Sequence, residues 1–472
     1  MSQVSPPTGA ALRRAHPDAR LSLPGEPAYA AATDIWAGGT DRQPAAVHAC
    51  RTAAEVRAAL RLAREHGLAV AVRGGGHDWA RRALCEGLVI DLREMRAVTP
   101  ATDGRTIRIE GGALAADVFA AADPLGAAVV TGASGKVGMA GLTLGGGYGA
   151  LIGRFGLALD NLVSAEVVMA DGTLLHASAS SEPELFWALR GGGGNFGVVV
   201  AMEHRLHALD TVYSGPMFWP FEAAHAVLAH YAALAAELPD ALTVQLGLLV
   251  GPEGAPMLLA APTWSGVPEE GPARVAPLCR AAAPLLAQLA HQPYGASNTL
   301  FDARVVNGRR VCMDTRSLPA LTPAAIGILL DAFARRPSDA CAILTHEFRG
   351  AAARIAPDAT AFAMREPHLL VEIIAVWPGD DPDDAARHLQ WVATLSAALA
   401  AHALPGGYPN LLPPGDPARA AASFGINAAR VAAAKRHYDP ANVFASALPL
   451  PSGTSTPARP SSAPRTPGRT TS

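Results

Sequence analysis

Long uncharged apolar runs, an excess of either charge and closely spaced cysteines are all missing from this sequence. No apolar stretch reaches bilayer-spanning length, and the first residues lack a charged segment followed by an apolar one. Those absences argue against a membrane or secreted protein and lead to the expectation of a cytoplasmic chain. Lys and Arg total 38 against 41 acidic residues, a formal charge of −3. With no basic stripe and no interleaving of aromatic and basic residues, nucleic acid is not expected as a partner. Cys50, Cys85, Cys279, Cys312 and Cys341 are odd in number and scattered; this excludes a disulfide scaffold, and the five read as small buried residues. No His, Asp and Glu set has metal-ligand spacing, and no nucleophile elbow is present.

What is present is a long, apolar chain. At 472 residues it exceeds one ordinary core, so two lobes with a cleft between them are expected. Half the residues are apolar and 17% are charged, which excludes a disordered chain, although alanine inflates the apolar share without adding bulk. Beyond Pro449 the chain turns to Pro, Ser, Thr, Arg and Gly and is expected to be disordered, because nothing there offsets ordering entropy by burial.

Thr52 with Glu55 forms a capping box for a helix that runs toward Gly67. A strand (68–72), a glycine loop (73–77) and strands at 88–92 and 106–110 follow. Ser181 with Glu184 reads as a second capping box, for a helix through Leu189, before a β-branched run, Val198 to Val200. The first lobe closes near Leu209. Strand-like runs at 242–250, 340–348 and 369–377 then alternate with alanine-rich helical stretches near 223–238 and 384–401, which fits a second sheet backed by helices. A last helix, 427–437, precedes Asp439-Pro440.

Glycine is needed where the backbone takes positive φ or approaches a ligand, and bared N–H groups form anion-binding nests. Three clusters suit that: Arg73-Gly74-Gly75-Gly76-His77; Gly132, Gly135, Gly138, Gly141 and Gly145 to Gly147; and Gly191 to Gly197. Together they suggest a large dinucleotide; each alone is equally a set of tight turns. Gly192, Gly194 and Gly197 match GxGxxG, but after a helix and before a strand, the reverse of the Rossmann context.

The ordered set of motifs, including the Val70-to-His77 loop, Leu142-Thr143-Leu144-Gly145-Gly146-Gly147, Asp160-Asn161-Leu162, Leu185-Phe186-Trp187 and Tyr438-Asp439-Pro440-Ala441-Asn442, resembles the FAD-linked oxidase family of vanillyl-alcohol oxidase and the berberine bridge enzymes, most closely its bacterial berberine-bridge-like branch. The resemblance implies an α+β fold: a PCMH-type FAD-binding lobe of two α/β subdomains, and a substrate lobe of antiparallel sheet backed by helices. The implied division is an extension over 1–40, the FAD-binding domain over 41–210, the substrate domain over 211–404, a returning segment over 405–448 and a disordered tail over 449–472.

By that resemblance His77 bonds the flavin covalently; the alternative is a loop histidine that hydrogen-bonds a phosphate. Arg73, Gly74, Gly75, Gly76, Asp78, Gly132, Gly138, Gly141, Gly146, Gly147, Asn195, Gly197, Val199 and Asn410 are implied to hold FAD. Ser134 stands where bicovalent members carry cysteine, and serine supplies no thiolate, so a single covalent bond is expected. Val137 leans toward an oxidase, with O2 as acceptor, or is ordinary packing; Leu142 and Arg81 depart from the family's usual residues. For the base that hydride transfer from an alcohol, sugar or amine requires, Glu372 and Tyr408 are candidates. Glu372 is alone among apolar neighbours and shares a strand face with Leu370 and Ile374; the alternative is an edge-strand residue facing water. Tyr408 lies in a Y-x-N segment, or is a packed turn residue. His346 and Arg349 are given no chemistry. The function expected is an FAD-dependent oxidase of a small organic molecule; the rivals are a dehydrogenase of the same fold and a flavin-binding module or cyclase without turnover.

Overall fold

The structure, a computed structural model, describes residues 8–39, 42–299, 302–413 and 415–451. The tail from 452 onward, where disorder was expected, lies outside the described residues.

Among the described residues the first lobe holds a two-stranded pair, Ala127–Ala128 with His207–Ala208, and two main sheets. In the smaller, Ala46–Ala49, Leu88–Asp91 and Val70–Arg73 lie parallel in that spatial order, with Leu21–Ser22 antiparallel on the edge. Parallel neighbours need a crossover, and the helix Ala53–Glu65 supplies it, burying Val56, Leu60 and Leu62. It begins where Thr52 Oγ1 accepts a hydrogen bond from Glu55 N (3.2 Å) and stops at Gly67, φ +61°. The larger sheet is antiparallel, in the order Val98–Pro100, Thr106–Glu110, Val198–Arg205, Leu162–Val168, Leu174–Ser178. Its core joins Ile107, Ile109 and Val167 to Leu144 and Leu189 of the helices Met139–Gly145 and Pro183–Gly192. The expected Ser181–Glu184 capping box does not form. Glu182 is the N-cap, left-handed at φ +48° without a side-chain cap, and Pro183 starts the helix with the N–H-free residue that position tolerates. Glu184 instead pairs with Arg430 (2.7 Å).

The second lobe is one antiparallel sheet. Its order is Leu286–Ala287, Met217–Pro220, Pro256–Trp264, Leu242–Val250, Ala342–Phe348, His368–Trp377, Arg310–Leu318, with Val212–Ser214 also beside Pro256–Trp264 and Ala290–Gln292 beside Val212–Ser214. Strand alternation divides its two faces. Val244, Leu246, Val371, Ile373 and Ala375 pack against the helices Ala224–Leu234, Pro323–Ala334 and Pro382–Ala400. Gln245, Leu249, Leu344, His346, Glu372 and Ile374 point the other way, toward the first lobe. His368–Trp377 has a partner strand on each side, so Glu372 is not on an edge.

After the helix Ala428–Tyr438 the chain returns to the first lobe. Asp439 accepts from Val443 N and Phe444 N (both 2.9 Å) and pairs with buried Lys435 at 2.6 Å, while Lys435 Nζ also donates to Asn195 O (2.8 Å). The cysteines are all free; Cys50 and Cys341 are buried as expected, but Cys85, Cys279 and Cys312 are half-buried.

Candidate active site

Between the glycine loops and the free face of the second sheet lies a cavity of about 810 Å³, toward the upper end of the usual range for ligand and cofactor clefts. From the first loop, Gly74, Gly75, Gly76, His77 and Asp78 line it. From the second come Gly132, Ser134, Val137, Gly138 and Gly141, and from the third Gly197 and Val199. Glu372, Tyr408 and Asn410 face them. Arg73, Gly146, Gly147 and Asn195 stand behind the wall, and each has a visible structural task. The Arg73 guanidinium donates to the carbonyls of Ala31, Ala32 and Asp34 (2.6–2.8 Å), closing the end of the helix Pro27–Thr33. Asn195 Nδ2 donates to Gly192 O and Leu448 O (2.7 and 2.9 Å), tying the returning segment to the third loop.

Glycine in and behind this wall has three separable causes. At Gly75 and Gly138 it is backbone crossing backbone: a Cβ on Gly75 would lie 2.5 Å from Gly138 Cα. At Gly146, φ is +146° and a Cβ would meet the Tyr408 ring at 2.6 Å. At Gly141 and Gly194 neither reason applies: φ is ordinary and a Cβ would touch no protein atom within 4 Å. Both line the cavity, so their missing side chains leave room for a bound group rather than for the protein itself.

His77 follows Gly76 (φ +77°) and stacks on Trp36, ring centroids 4.4 Å apart at 12°. Trp36 N donates to Gly76 O (2.9 Å), fixing the stack to the loop. Burial pushes the His77 pKa down to about 4 against the opposing pull of Glu372 and Asp302, so the ring is neutral at pH 7 and one nitrogen keeps a lone pair. Ser134 Oγ donates to Asp302 Oδ1 (2.6 Å), joined by Gly135 N (3.1 Å), and Lys136 Nζ reaches Val305 O (2.6 Å). The second loop is thereby clasped to the segment after 301.

At the far end the Tyr408 hydroxyl accepts from Gly147 N and Asn410 Nδ2 (both 2.9 Å). Burial pushes its pKa up to about 12, although both hydrogen bonds favour the phenolate. Two donors on the oxygen leave its own O–H free to point elsewhere. Asn410 also holds Leu142 O (3.1 Å), so it positions Tyr408 from the second loop. Glu372 faces His346, carboxylate to Nε2 3.3 Å, with side chains 13% and 14% exposed. His346 pairs with Leu370 across the strands while Glu372 pairs with Leu344, so the two are diagonal neighbours on one face. Sequence reading set His346 aside; the distinguishing sign is its place in the strand Ala342–Phe348, an even-numbered position with Leu344 and Phe348. Arg349 turns away, onto Glu347 (3.3 Å) and the carbonyl of Leu238. Tyr148, also overlooked, donates to His368 Nε2 (2.9 Å), whose Nδ1–H goes to Glu366 O (2.7 Å).

A glycine-bared wall shaped for a dinucleotide, facing a sheet that carries one carboxylate and a returning loop that carries one tyrosine, defines a cofactor-dependent redox enzyme. Residues 44–178 match the family described as FAD binding domain. Over 414 residues the chain is 30% identical to a protein of Bacillus subtilis named uncharacterized FAD-linked oxidoreductase YgaK, an overlap of 86% of this chain and 90% of that one. The structure of 6-hydroxy-D-nicotine oxidase from Arthrobacter nicotinovorans superposes with a TM-score of 0.81 at 27% identity, over 90% of this chain and 96% of the other. Glucooligosaccharide oxidase from Acremonium strictum, whose structure is described with a 6-S-cysteinyl, 8α-N1-histidyl FAD, superposes with a TM-score of 0.82 over 95% and 99% at 21% identity, a likeness of fold. The chain belongs to the FAD-linked oxidoreductases, with FAD as its cofactor. Among the described residues no helix is long and apolar enough to cross a membrane.

Proposed function

We propose that this enzyme is an oxidase that carries FAD on His77 through a single covalent bond and oxidises a small organic molecule at a carbon bearing O–H or N–H. The observation that carries the reading is the neutral His77 imidazole, stacked on Trp36 in the wall of the cavity that Tyr408 and Glu372 also line. A neutral ring is the nucleophilic form. Ser134 is engaged by Asp302 and has no thiol, which supports one bond rather than two. Bound FAD supplies the two-electron acceptor for hydride. Tyr408, protonated at neutral pH, hydrogen-bonds the reacting heteroatom, and Glu372 receives its proton, directly or through Tyr408; the two are close enough for the carboxylate charge to raise the Tyr408 pKa. Val137, a small side chain in the cavity wall, leaves the ring accessible to O2.

Acid precipitation tests the attachment: yellow colour stays in the pellet of the native enzyme and moves to the supernatant for His77→Ala, with circular dichroism checking that the variant folds. Colour in the native supernatant contradicts covalent attachment. Rapid reoxidation in air with stoichiometric peroxide supports the oxidase; slow reoxidation assigns the same fold to a dehydrogenase.

A further inference from the structure

The sheet face above the proposed flavin site is not uniform. Among the described sheet residues that line the cavity, Glu372, His346 and Gln245 are the polar ones, and they sit together: Gln245 Nε2 lies 3.5 Å from His346 Nε2, and Glu372 3.3 Å from it on the other side. One step along the strands the row changes character. Ile374 stands opposite Met313 and Ala342, and Val376 opposite Val311, while Leu249 and Leu259 extend the same surface. The cavity is thus polar at one end of the face and aliphatic over the rest. Its arginines do not alter this. Arg82 is spent on the carbonyls of Asn410 and Leu412 (3.4 and 2.6 Å), and Arg304 and Arg309 are exposed residues of the segment that follows 301.

Taking the oxidase reading as its basis, we infer that the substrate is a compact, apolar-bodied alcohol or amine whose single donor head meets Glu372, with no carboxylate at the reacting end and no sugar chain. An O–H or N–H donor satisfies the carboxylate; a substrate carboxylate would meet like charge. An oligosaccharide would press hydroxyls against Leu249, Leu259, Leu344 and Ile374, each losing its water without a replacement partner. An aliphatic or aromatic ring there is favoured by burial instead.

The test uses the flavin-loaded enzyme and six probes: benzyl alcohol, benzylamine and cyclohexylmethanol against benzoate, cellobiose and chitobiose. Calorimetric titration gives affinity, and anaerobic flavin bleaching gives reduction. Expected are binding of the first three at least tenfold tighter than the last three, bleaching confined to that group, and weakening of benzylamine binding about fivefold in Leu344→Asn. Tighter binding of either disaccharide or of benzoate overturns the inference, as does binding of none. Dithionite bleaching of the same samples reports the cofactor independently, so a failed substrate class is told apart from a failed flavin reading.

Discussion

The two walls of the cavity are built from opposite materials. On the first lobe much of the wall is backbone: Gly74 to Gly76, Gly132, Gly138 and Gly141 present peptide groups to the space between side chains such as His77 and Val137, and Arg73 and Asn195 work behind them. Opposite it the wall is side chain, set by the two-residue period of the second lobe's regular strands and completed by Tyr408 of the returning segment. The difference separates two duties. A backbone wall admits a large, invariant group closely and recognises it by N–H direction; a side-chain wall holds the groups whose chemistry and shape select what is oxidised. Breaking one should leave the other's readout in place.

The largest effect expected from the side-chain wall is on turnover. Tyr408→Phe removes the hydroxyl held by Gly147 and Asn410 and should slow substrate-driven flavin bleaching roughly a hundred- to ten-thousand-fold, with flavin content unchanged. Stopped-flow absorbance measures the first and the visible-to-ultraviolet ratio the second. Loss of flavin from this variant would place Tyr408 with the cofactor wall.

The backbone wall should respond in the reverse sense. Gly141 lies within the helix Met139–Gly145, where alanine is favoured over glycine by about 0.5–1 kcal/mol. Gly141→Ala should raise the urea midpoint of the cofactor-free protein while weakening FAD retention, since an added methyl at a close contact costs about 1–3 kcal/mol. Unchanged FAD retention would mean that the bound group does not approach Gly141.

An effect shared by both walls' lobes, and not specific to either, is a pH dependence of stability. His204 and His368, one in each lobe, are buried neutral, with pKa values lowered to about 4 by burial from an ordinary 6.5. Between those values the unfolded chain binds protons that the folded chain refuses. Stability is therefore full above about pH 6.5 and falls as pH drops toward 4, by at most about 1.4 kcal/mol per pH unit for each histidine. Urea midpoints across that range should slope less steeply in His204→Gln.

The same contrast explains what the sequence disclosed. The backbone wall was readable because glycine clusters are local: Gly74-Gly75-Gly76-His77 is contiguous, and the second loop spans fewer than twenty residues. The strands at 242–250 and 369–377 were also readable, being apolar apart from Thr243, Gln245 and Glu372. Arg310–Leu318 was not, because its outward residues Asp314 and Arg316 answer Ser396 and Arg419 on helices far along the chain, which masks the alternation. Gln245 and His346 escaped for a related reason: they are 101 residues apart and meet only through sheet register. Arg73, Gly146, Gly147 and Asn195 were expected at the cofactor because they belong to the right loops. Loop membership fixes the neighbourhood of a residue, not whether it faces the cavity. Arg81 shows a departure absorbed: it occupies a left-handed turn, φ +58°, that suits glycine, and its guanidinium compensates by holding Gly38 O at 2.6 and 3.0 Å.

The proposed bond between His77 and the flavin is addressed directly by mass spectrometry of a peptic digest. The peptide that contains His77 should be heavier by one flavin and should fragment with that mass on the histidine. A peptide of unmodified mass from fully yellow enzyme would contradict the attachment.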